Sequence, residues 1–289
     1  MKIEDSQTQR SRRDFLKLMG FSAVSMAMSQ TIDVAASEGV IGERFGWLID
    51  ITRCVNCGAC SRACKESNNL PPVSTEPTDW TFDTWTYIDS AAVPISSGES
   101  PVYSVKRQCM HCLEPACASA CPVGALHQTS EGAVVYDVDL CMGCRYCMLA
   151  CPFDVPHFDW QSGLTPMIGK CTLCRDRREQ GLAPACVEAC PVGTLEFGTR
   201  ERVLAIAKAR IKDNPDRYFD KIYGEHEAGG TSVLYISPVP FEKLGFRTDI
   251  INEPLPPLTW NILKNVPIVA AGMALAMSGT TWFTGRQKE

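Results

Sequence analysis

Short apolar stretches alternate with polar, turn-forming segments through the middle of the chain, and this pattern predicts several short strands. The segment 80–88 is aromatic and β-branched with partial alternation, and 102–106 has the composition of a hairpin partner. The segment 91–101 is rich in proline, serine and glycine, which predicts a loop. Further short strands are predicted at 134–136, 194–197 and 232–236. Strands this short, interspersed with other elements, indicate an α+β fold.

One amphipathic helix is predicted after the strand at 194–197. Thr199 is a typical N-cap residue, and apolar side chains recur on one helical face up to about residue 211. These side chains are Val203, Leu204, Ala207 and Ile211. From 214 to 257 the chain is polar and rich in turn residues, apart from the predicted strand at 232–236.

The last apolar segment, 266–283, contains no charged residue and has a length near the lower limit for crossing a bilayer. Trp260 and Trp282 lie near its two ends, and Arg286 and Lys288 follow it. Aromatic belts and cytoplasmic basic residues are typical of transmembrane helices, which predicts a membrane anchor with a cytoplasmic C-terminus. A buried helix is the alternative, because glycine, alanine, serine and threonine make the segment only moderately apolar.

The N-terminus predicts export. Residues 11–17, SRRDFLK, form a twin-arginine motif, and the uncharged stretch 18–29 follows. The small residues at 34–36 suit a signal peptidase, so a signal peptide of residues 1–36 is predicted. The twin-arginine route carries folded proteins, which suits a chain whose cofactors are inserted in the cytosol. A basic N-terminal helix is the alternative.

Composition is ordinary except for cysteine. The hydrophobic content of 45% and the charged content of 21% are typical of globular proteins, and a net charge of −5 gives no reason to expect nucleic acid. The chain has sixteen cysteines but only four histidines, too few to share so large a ligand load.

All sixteen cysteines fall into four runs. The runs are Cys54-x2-Cys57-x2-Cys60-x3-Cys64, Cys109-x2-Cys112-x4-Cys117-x3-Cys121-Pro122, Cys141-x2-Cys144-x2-Cys147-x3-Cys151-Pro152 and Cys171-x2-Cys174-x11-Cys186-x3-Cys190-Pro191.

Three kinds of site use cysteines in such numbers. Disulfide bonds suit an exported protein with an even cysteine count, and zinc suits separated CxxC pairs. Iron–sulfur clusters favour the CxxCxxC loop, whose fourth cysteine ligates the other cluster in two-cluster ferredoxins. The ending x3-C-P occurs three times here and is required by neither disulfides nor zinc. The runs therefore favour [4Fe–4S] clusters, four of them with no cysteine left over, and zinc or disulfide scaffolds are the alternatives.

The chain resembles the four-cluster ferredoxin-like electron-transfer subunits of membrane-bound periplasmic oxidoreductases. The resemblance covers residues 45 to about 285. Within the family, several short sequence strings are most similar to those of the HybA-type subunit of nickel–iron hydrogenases. The formate dehydrogenase β-subunit shares the layout and several of the strings. The strings are KRQCMHC (106–112), CRYCMLACPFDVP (144–156), FGTRE (197–201) and GGTSVL (229–234).

The resemblance implies two pseudo-symmetric modules, each holding two clusters, with the outer cysteine runs in one module and the inner runs in the other. A C-terminal extension and a single C-terminal transmembrane helix complete the implied fold. The corresponding divisions are a twin-arginine signal peptide at 1–36, the four-cluster domain at 37–198, a wrapping extension at 199–258 and a membrane anchor at 259–289.

The same resemblance implies how the cysteines are shared among clusters, each run giving three ligands to one cluster and one to its neighbour. The implied sets are Cys54, Cys57, Cys60 and Cys190; Cys64, Cys171, Cys174 and Cys186; Cys109, Cys112, Cys117 and Cys151; and Cys121, Cys141, Cys144 and Cys147.

A few residues inside the runs invite a role. Gly58 and Gly143 lie inside the cluster loops, where the missing side chain would let backbone N–H groups approach the sulfides, and such hydrogen bonds tune reduction potential. His111 lies between two cysteines, and a structural role or one supporting a ligand is expected, since four cysteines are available for every cluster. The other histidines, His127, His157 and His226, are isolated in the sequence.

No Ser/His/Asp set, recognisable carboxylate pair or phosphate-binding glycine loop occurs in the sequence. The expected function is therefore electron transfer. The resemblance implies that the electrons pass from a periplasmic catalytic subunit to an integral membrane subunit that reduces quinone or carries haem b. A nickel–iron hydrogenase is the expected catalytic partner. Formate dehydrogenase or another molybdopterin oxidoreductase is the alternative partner, and a free soluble periplasmic ferredoxin is the alternative of another class.

Overall fold

The computed structural model describes residues 43–72, 76–94, 98–162 and 167–286. The predicted signal peptide, residues 1–36, lies outside the described residues.

A three-stranded sheet joins distant parts of the described chain. Its central strand is β1 (Phe45–Asp50), which pairs antiparallel with β8 (Leu195–Thr199) and parallel with β9 (Val233–Ile236). Trp47 and Leu48, on opposite faces of β1, are both buried, as expected for a strand that packs on both sides. The strands predicted at 194–197 and 232–236 are confirmed, whereas the sequence pattern did not predict β1.

Three antiparallel hairpins surround this sheet, and two of them contain predicted strands. The hairpins pair β2 (Thr86–Ala92) with β3 (Val102–Gln108), β4 (Leu126–Gln128) with β5 (Val134–Tyr136), and β6 (His157–Phe158) with β7 (Ile168–Gly169). The strands predicted at 102–106 and 134–136 are therefore confirmed.

The strand predicted at 80–88 is wrong in its first half. Residues before Thr86 form a turn, in which the backbone N–H of Thr84 donates to the carbonyl oxygen of Thr81. The Thr81 hydroxyl also donates to the carboxylate of Asp83. This local side-chain hydrogen bonding competes with strand pairing, so the aromatic composition alone was misleading.

Short helices carry many of the cysteines. The helices are α1 (Ala59–Ser67), α2 (Ala116–Ser119), α3 (Tyr146–Ala150), α4 (Arg175–Glu179), α5 (Ala185–Glu188), α6 (Arg200–Asp213), α7 (Leu255–Leu263) and α8 (Val266–Arg286). Of these, α1, α2, α3 and α5 each contain cysteine. Within the described residues, 3-10 turns occur at Ile51–Arg53, Glu227–Gly229 and Phe241–Leu244.

The predicted helix after Thr199 is confirmed as α6. The Thr199 hydroxyl accepts a hydrogen bond from the backbone N–H of Arg202 at 3.3 Å, which is the expected N-cap bond. Val203 and Ala207 are buried and pack in one apolar cluster with Leu48 and Leu234 of the sheet. The helix therefore covers one face of the sheet.

A buried carboxylate joins the sheet to the first cysteine run. Asp50, at the end of β1, is fully buried and accepts hydrogen bonds from Arg210 at 3.1 Å and from the Tyr218 hydroxyl at 2.9 Å. Its other oxygen caps the Ile51–Arg53 turn by accepting from the Thr52 N–H at 3.1 Å. Because that turn leads directly into Cys54, Asp50 fixes where the first run begins.

The polar segment 214–257 contributes more buried side chains to the hydrophobic core than its composition predicts. Four aromatic rings, those of Tyr223, Tyr235, Phe241 and Phe246, contact one another with centroids between 4.7 and 6.4 Å apart. They are scattered among turn residues, so no periodicity reveals them. The segment therefore packs into the main core and supplies β9 to the sheet.

Among the described residues, one helix is long and apolar enough to cross a membrane. This candidate span is Val266–Thr284 within α8, and none of it is buried against the rest of the chain. The apolar C-terminal helix predicted at 266–283 is therefore present.

Two facing glycines in the sheet provide a test of this packing. Gly46 in β1 lies opposite Gly198 in β8, and a Cβ on Gly46 would lie 2.4 Å from the backbone oxygen of Ser232. A Cβ on Gly198 would meet only the flexible side chain of Arg202, at 3.3 Å. We expect Gly46→Ala to lower the free energy of unfolding by about 1–3 kcal/mol, because the backbone cannot yield without strain.

The measurement is the thermal unfolding midpoint of the cofactor-loaded protein by circular dichroism, which shifts by about 2–4 °C for each kcal/mol in a domain of this size. Gly198→Ala is the matched control and should leave the midpoint nearly unchanged. Equal midpoints for the two variants would contradict the assigned register.

Candidate metal centres

The same backbone turn opens all four cysteine runs. In each run, the second residue after the first cysteine has a positive φ: Asn56 at 54°, His111 at 46°, Gly143 at 73° and Leu173 at 61°. Glycine and asparagine tolerate this conformation, but it is rare for leucine and must be enforced by the surrounding structure. This turn lies between the first two cysteines of each run.

One set of four thiols lines a common cavity. We call it group A, and it consists of Cys54, Cys57, Cys60 and Cys190. Apolar side chains, including those of Ile88 and Leu195, form much of the remaining wall, and Lys106 also lines it. Cys57 is exposed, so group A reaches the protein surface.

A second set of four thiols lines another cavity, which has the same four-thiol lining as the cavity of group A. This group D consists of Cys121, Cys141, Cys144 and Cys147. Its wall includes the apolar side chains of Leu126 and Ile168.

Two further sets lie deeper in the chain. Group B consists of Cys64, Cys171, Cys174 and Cys186, all buried. Burial raises the pKa of Cys64 to about 12, and the nearby thiolates of Cys186 and Cys174 contribute to that shift. Burial also raises the pKa of Cys171, with contributions from Cys64 and Cys174.

Group C consists of Cys109, Cys112, Cys117 and Cys151. Burial raises the pKa of Cys112, and the thiolates of its three group members add to the shift. Burial likewise raises the pKa of Cys117 to about 11 and that of Cys151 to about 12, with Cys109 contributing to both. These four thiols are thus mutual neighbours, although they come from two different runs.

The four groups follow one another in the order A, B, C, D. One thiol of each group lies close enough to a thiol of the next for one thiolate to raise the pKa of the other. The pairs are Cys60 with Cys186, Cys171 with Cys109, and Cys147 with Cys117. The groups therefore form a continuous series through the described part of the chain.

Disulfide bonds do not explain this arrangement, because all sixteen cysteines are free thiols and all lie in the described ranges. No three histidine, cysteine or acidic side chains of the described residues converge on a single-ion site. A [4Fe–4S] cluster differs from a single ion, because its four cysteines bind four separate iron atoms and surround the cluster from outside.

Several N–H groups point at the sulfur atoms. The backbone N–H of Gly143 donates to Cys141 Sγ at 3.4 Å, and that of Thr194 donates to Cys190 Sγ at 3.3 Å. Although burial opposes it, backbone hydrogen bonds from Thr194 and Val192 lower the pKa of Cys190. Such donors stabilise thiolate charge and prepare the sulfur to bind metal. The predicted approach of a backbone N–H at Gly143 to the cluster sulfides stays a prediction, and the structure shows this N–H bonded to a cysteine sulfur.

At Gly58 the predicted approach of N–H groups to the sulfides stays a prediction, and the structure shows a further reason for the missing side chain. The φ of Gly58 is +69°, and a Cβ there would lie 2.4 Å from the carboxylate of Glu76. That carboxylate pairs with Arg62, whose guanidinium also donates to the carbonyl oxygen of Cys57 at 2.7 Å. The missing side chain thus makes room for an ion pair that braces the loop of group A.

His111 is completely buried. Its Nδ1 accepts a hydrogen bond from the backbone N–H of Val134 at 3.0 Å and is therefore occupied by the protein's own backbone. Its Nε2 has no hydrogen-bond partner among the described residues. Burial and the nearby Lys170 lower the pKa of His111, so the ring is neutral with its proton on Nε2. This agrees with the expected structural or supporting role.

Two buried lysines accompany the thiols, and the sequence analysis did not single them out. Lys106 stands three residues before Cys109, and Lys170 stands directly before Cys171. A lysine just ahead of a cysteine run is the signal that could have identified them, but only the structure shows that both are buried. Taken together, four thiols per group, apolar walls and N–H donors fit iron–sulfur clusters.

Comparison with known proteins gives the same chemistry. The family model for the 4Fe–4S dicluster domain matches residues 101–200. The chain is 34% identical to the hydrogenase-2 operon protein HybA of Escherichia coli O157:H7, over 81% of this chain and 83% of that protein.

Two other relatives are similar to it. The chain is 40% identical to a protein of Nitratidesulfovibrio vulgaris, over 96% of this chain and 78% of that protein. It is 35% identical to the formate dehydrogenase-O iron–sulfur subunit of Escherichia coli strain K12, over 67% of each chain. The extent of these matches, together with the cysteine groups, decides the family. The chain belongs to the family of 4Fe–4S dicluster electron-transfer subunits of oxidoreductase complexes, which have no catalytic domain of their own.

Proposed function

We propose that this subunit carries electrons through four [4Fe–4S] clusters, from a periplasmic catalytic subunit to a membrane subunit that reduces quinone or carries haem b. The observation that carries the proposal is the unbroken order of the four thiol groups, A to D. Each bound cluster would accept and release one electron at a time. Each of the groups A, B, C and D would hold one cluster, so that all sixteen cysteines are ligands.

The protein's own residues would keep the clusters in place and exclude water. Four thiolates anchor each cluster, the N–H groups of Gly143 and Thr194 stabilise charge on the sulfur, and apolar walls limit solvent access. In this arrangement the outer cysteine runs form one module, with groups A and B, and the inner runs form the other. The repeated left-handed turn in all four runs supports such an internal symmetry.

The two ends of the series have the properties of docking surfaces. Group A reaches the surface at Cys57, beside the exposed Val55. Group D is surrounded by exposed apolar side chains, including Met142, Tyr146 and Leu149, the last with 87% exposure. Clusters of exposed apolar side chains mark interaction sites. Electrons would enter at group A from the catalytic subunit and leave at group D.

The C-terminal helices support this polarity. Helix α7 packs against α2, which carries Cys117 of group C. Helix α8 follows α7 and contains the candidate membrane span. The membrane anchor would therefore begin near the C and D end of the series. With the twin-arginine motif at residues 11–17, the cluster domain would lie on the periplasmic side of the inner membrane.

A nickel–iron hydrogenase is the catalytic partner that we favour, because the strings KRQCMHC (106–112) and GGTSVL (229–234) resemble those of HybA-type subunits. Coverage does not separate the candidates, since the match to HybA covers 81% of this chain and that to the formate dehydrogenase iron–sulfur subunit of Haemophilus influenzae covers 79%. Formate dehydrogenase is the second candidate, since the identity to its iron–sulfur subunit, 35%, is as high. A freely soluble ferredoxin would not explain α8, whose candidate span is entirely unburied.

Replacing Cys190 with serine tests the position of group A. We expect Cys190→Ser to lose the cluster of group A, and with it most substrate-driven quinone reduction, while the catalytic partner still reduces an artificial dye. The physical reason is that the partner's electrons would no longer reach group B. Electron paramagnetic resonance of the reduced complex would count the clusters, and the two activities would be assayed in parallel.

Val192→Ala, which alters the same cavity wall without removing a thiol, is the matched control and should retain both activities. Unchanged quinone reduction in Cys190→Ser with the cluster absent would refute the proposed path.

Purification from gently solubilised membranes tests the partner. We expect an affinity tag on this subunit to retrieve a detergent-soluble complex that contains nickel and reduces quinone with hydrogen, because the subunit would bridge the two activities. Metal analysis of the complex is the measurement. Molybdenum or tungsten in place of nickel would assign the partner to the formate dehydrogenase class, and recovery of the subunit alone from the soluble fraction would contradict the bridging role.

A further inference from the structure

Two lysines are buried where a positive charge is costly. The exposed fraction is 2% for Lys106 and 1% for Lys170. Lysine is almost never fully buried without an ionic partner, because transfer of an ammonium group from water into a protein interior costs several kcal/mol. Some negative charge must therefore offset the charge of each ammonium group.

The acceptors of both ammonium groups are neutral. Lys106 donates to the side-chain oxygen of Gln108, and Lys170 donates to the backbone oxygens of Val134 and Cys171. Within the described ranges, no carboxylate lies at ion-pair distance from either ammonium group. By contrast Lys65, which is also buried, has the carboxylate of Asp83 at 3.9 Å.

The thiol groups are the source of negative charge next to these lysines. Lys106 lines the cavity of group A and lowers the pKa of Cys60 there, against the effect of burial. Cys60 stands one helical turn before Cys64 of group B on the same face of α1, so Lys106 lies beside both groups. It acts in the same direction on the pKa of three thiols of group B. Those thiols are Cys64, Cys171 and Cys186.

Lys170 has the corresponding place on the other side. Its ammonium group donates to the backbone oxygen of Val134, and Val134 packs in one cluster with Cys117 of group C. In agreement with this position, Lys170 lowers the pKa of Cys117, again against burial. Group D is different: the cationic residue in its cavity wall is Arg145, whose side chain is exposed to solvent and therefore screened. Buried charge thus accompanies groups A, B and C, and exposed charge accompanies group D.

We infer that Lys106 and Lys170 are fixed positive charges that raise the reduction potentials of the clusters beside them, Lys106 those of groups A and B, and Lys170 that of group C. Each electron that a cluster accepts makes it more negative, so a cation nearby stabilises the reduced state more than the oxidised state. Low dielectric strengthens this effect at a buried site. The inference rests on the proposed function, because it requires clusters in these groups.

The test is a potentiometric titration of the purified complex, followed by electron paramagnetic resonance, on Lys106→Met. Methionine has a similar length without the charge. We expect the titration waves of two clusters to move to more negative potentials and the remaining waves to stay in place. In Lys170→Met we expect the wave of one other cluster to move in the same direction. Lys106→Arg keeps the charge and should retain the potentials, as should Lys212→Met, which removes a charge from the exposed face of α6.

Each outcome of this titration either supports or overturns the inference about the two lysines. Unmoved waves in Lys106→Met, with all clusters present, would overturn the inference and leave the proposed function intact. Absence of clusters from the unmodified complex would overturn both. Lys106→Met and Lys106→Gln could both lose clusters. In that case full cluster assembly in Lys106→Arg would support the requirement for a positive charge at this position. Loss of clusters in Lys106→Arg as well would overturn the inference.

Discussion

The packing of sixteen thiols into four adjoining groups is the constraint on which the rest of the structure depends. Burial and mutual repulsion raise the pKa of thiols such as Cys64 and Cys151 to about 12, so these groups are unfavourable as thiolates in the absence of metal. Metal binding replaces the protons and neutralises the repulsion, which couples metal insertion to folding. Apart from α1, the helices that carry cysteines are one turn long, and the strands near the groups are short, so little regular structure holds the groups unaided.

Charge is the common element of the arrangement. Thiolates concentrate negative charge along the series of groups. Backbone N–H donors and the ammonium groups of Lys106 and Lys170 compensate this charge. The two kinds of compensation differ in range. An N–H group acts on the sulfur that it contacts, whereas a buried ammonium acts on two groups at once, as Lys106 does between A and B.

Local signals in the sequence predicted local features well. The N-cap at Thr199, the helix after it and the apolar segment at the C-terminus all follow from neighbouring residues, and the spacing of the cysteines indicates the metal chemistry. Long-range features were missed. Strand β1 pairs with strands about 150 and 190 residues away along the chain, and the burial of Lys106 depends on packing that its neighbours in sequence do not reveal. The left-handed φ of Leu173 could not be expected from a residue that normally avoids it.

Iron-edge anomalous diffraction from crystals of the purified complex would test the central claim most directly, because it locates iron atoms without reference to the protein coordinates. The account predicts four separate iron peaks in this subunit, one surrounded by the cysteines of each of the groups A, B, C and D, in that order along the chain of clusters. Fewer than four peaks, or a peak surrounded by cysteines drawn from different groups, would contradict it.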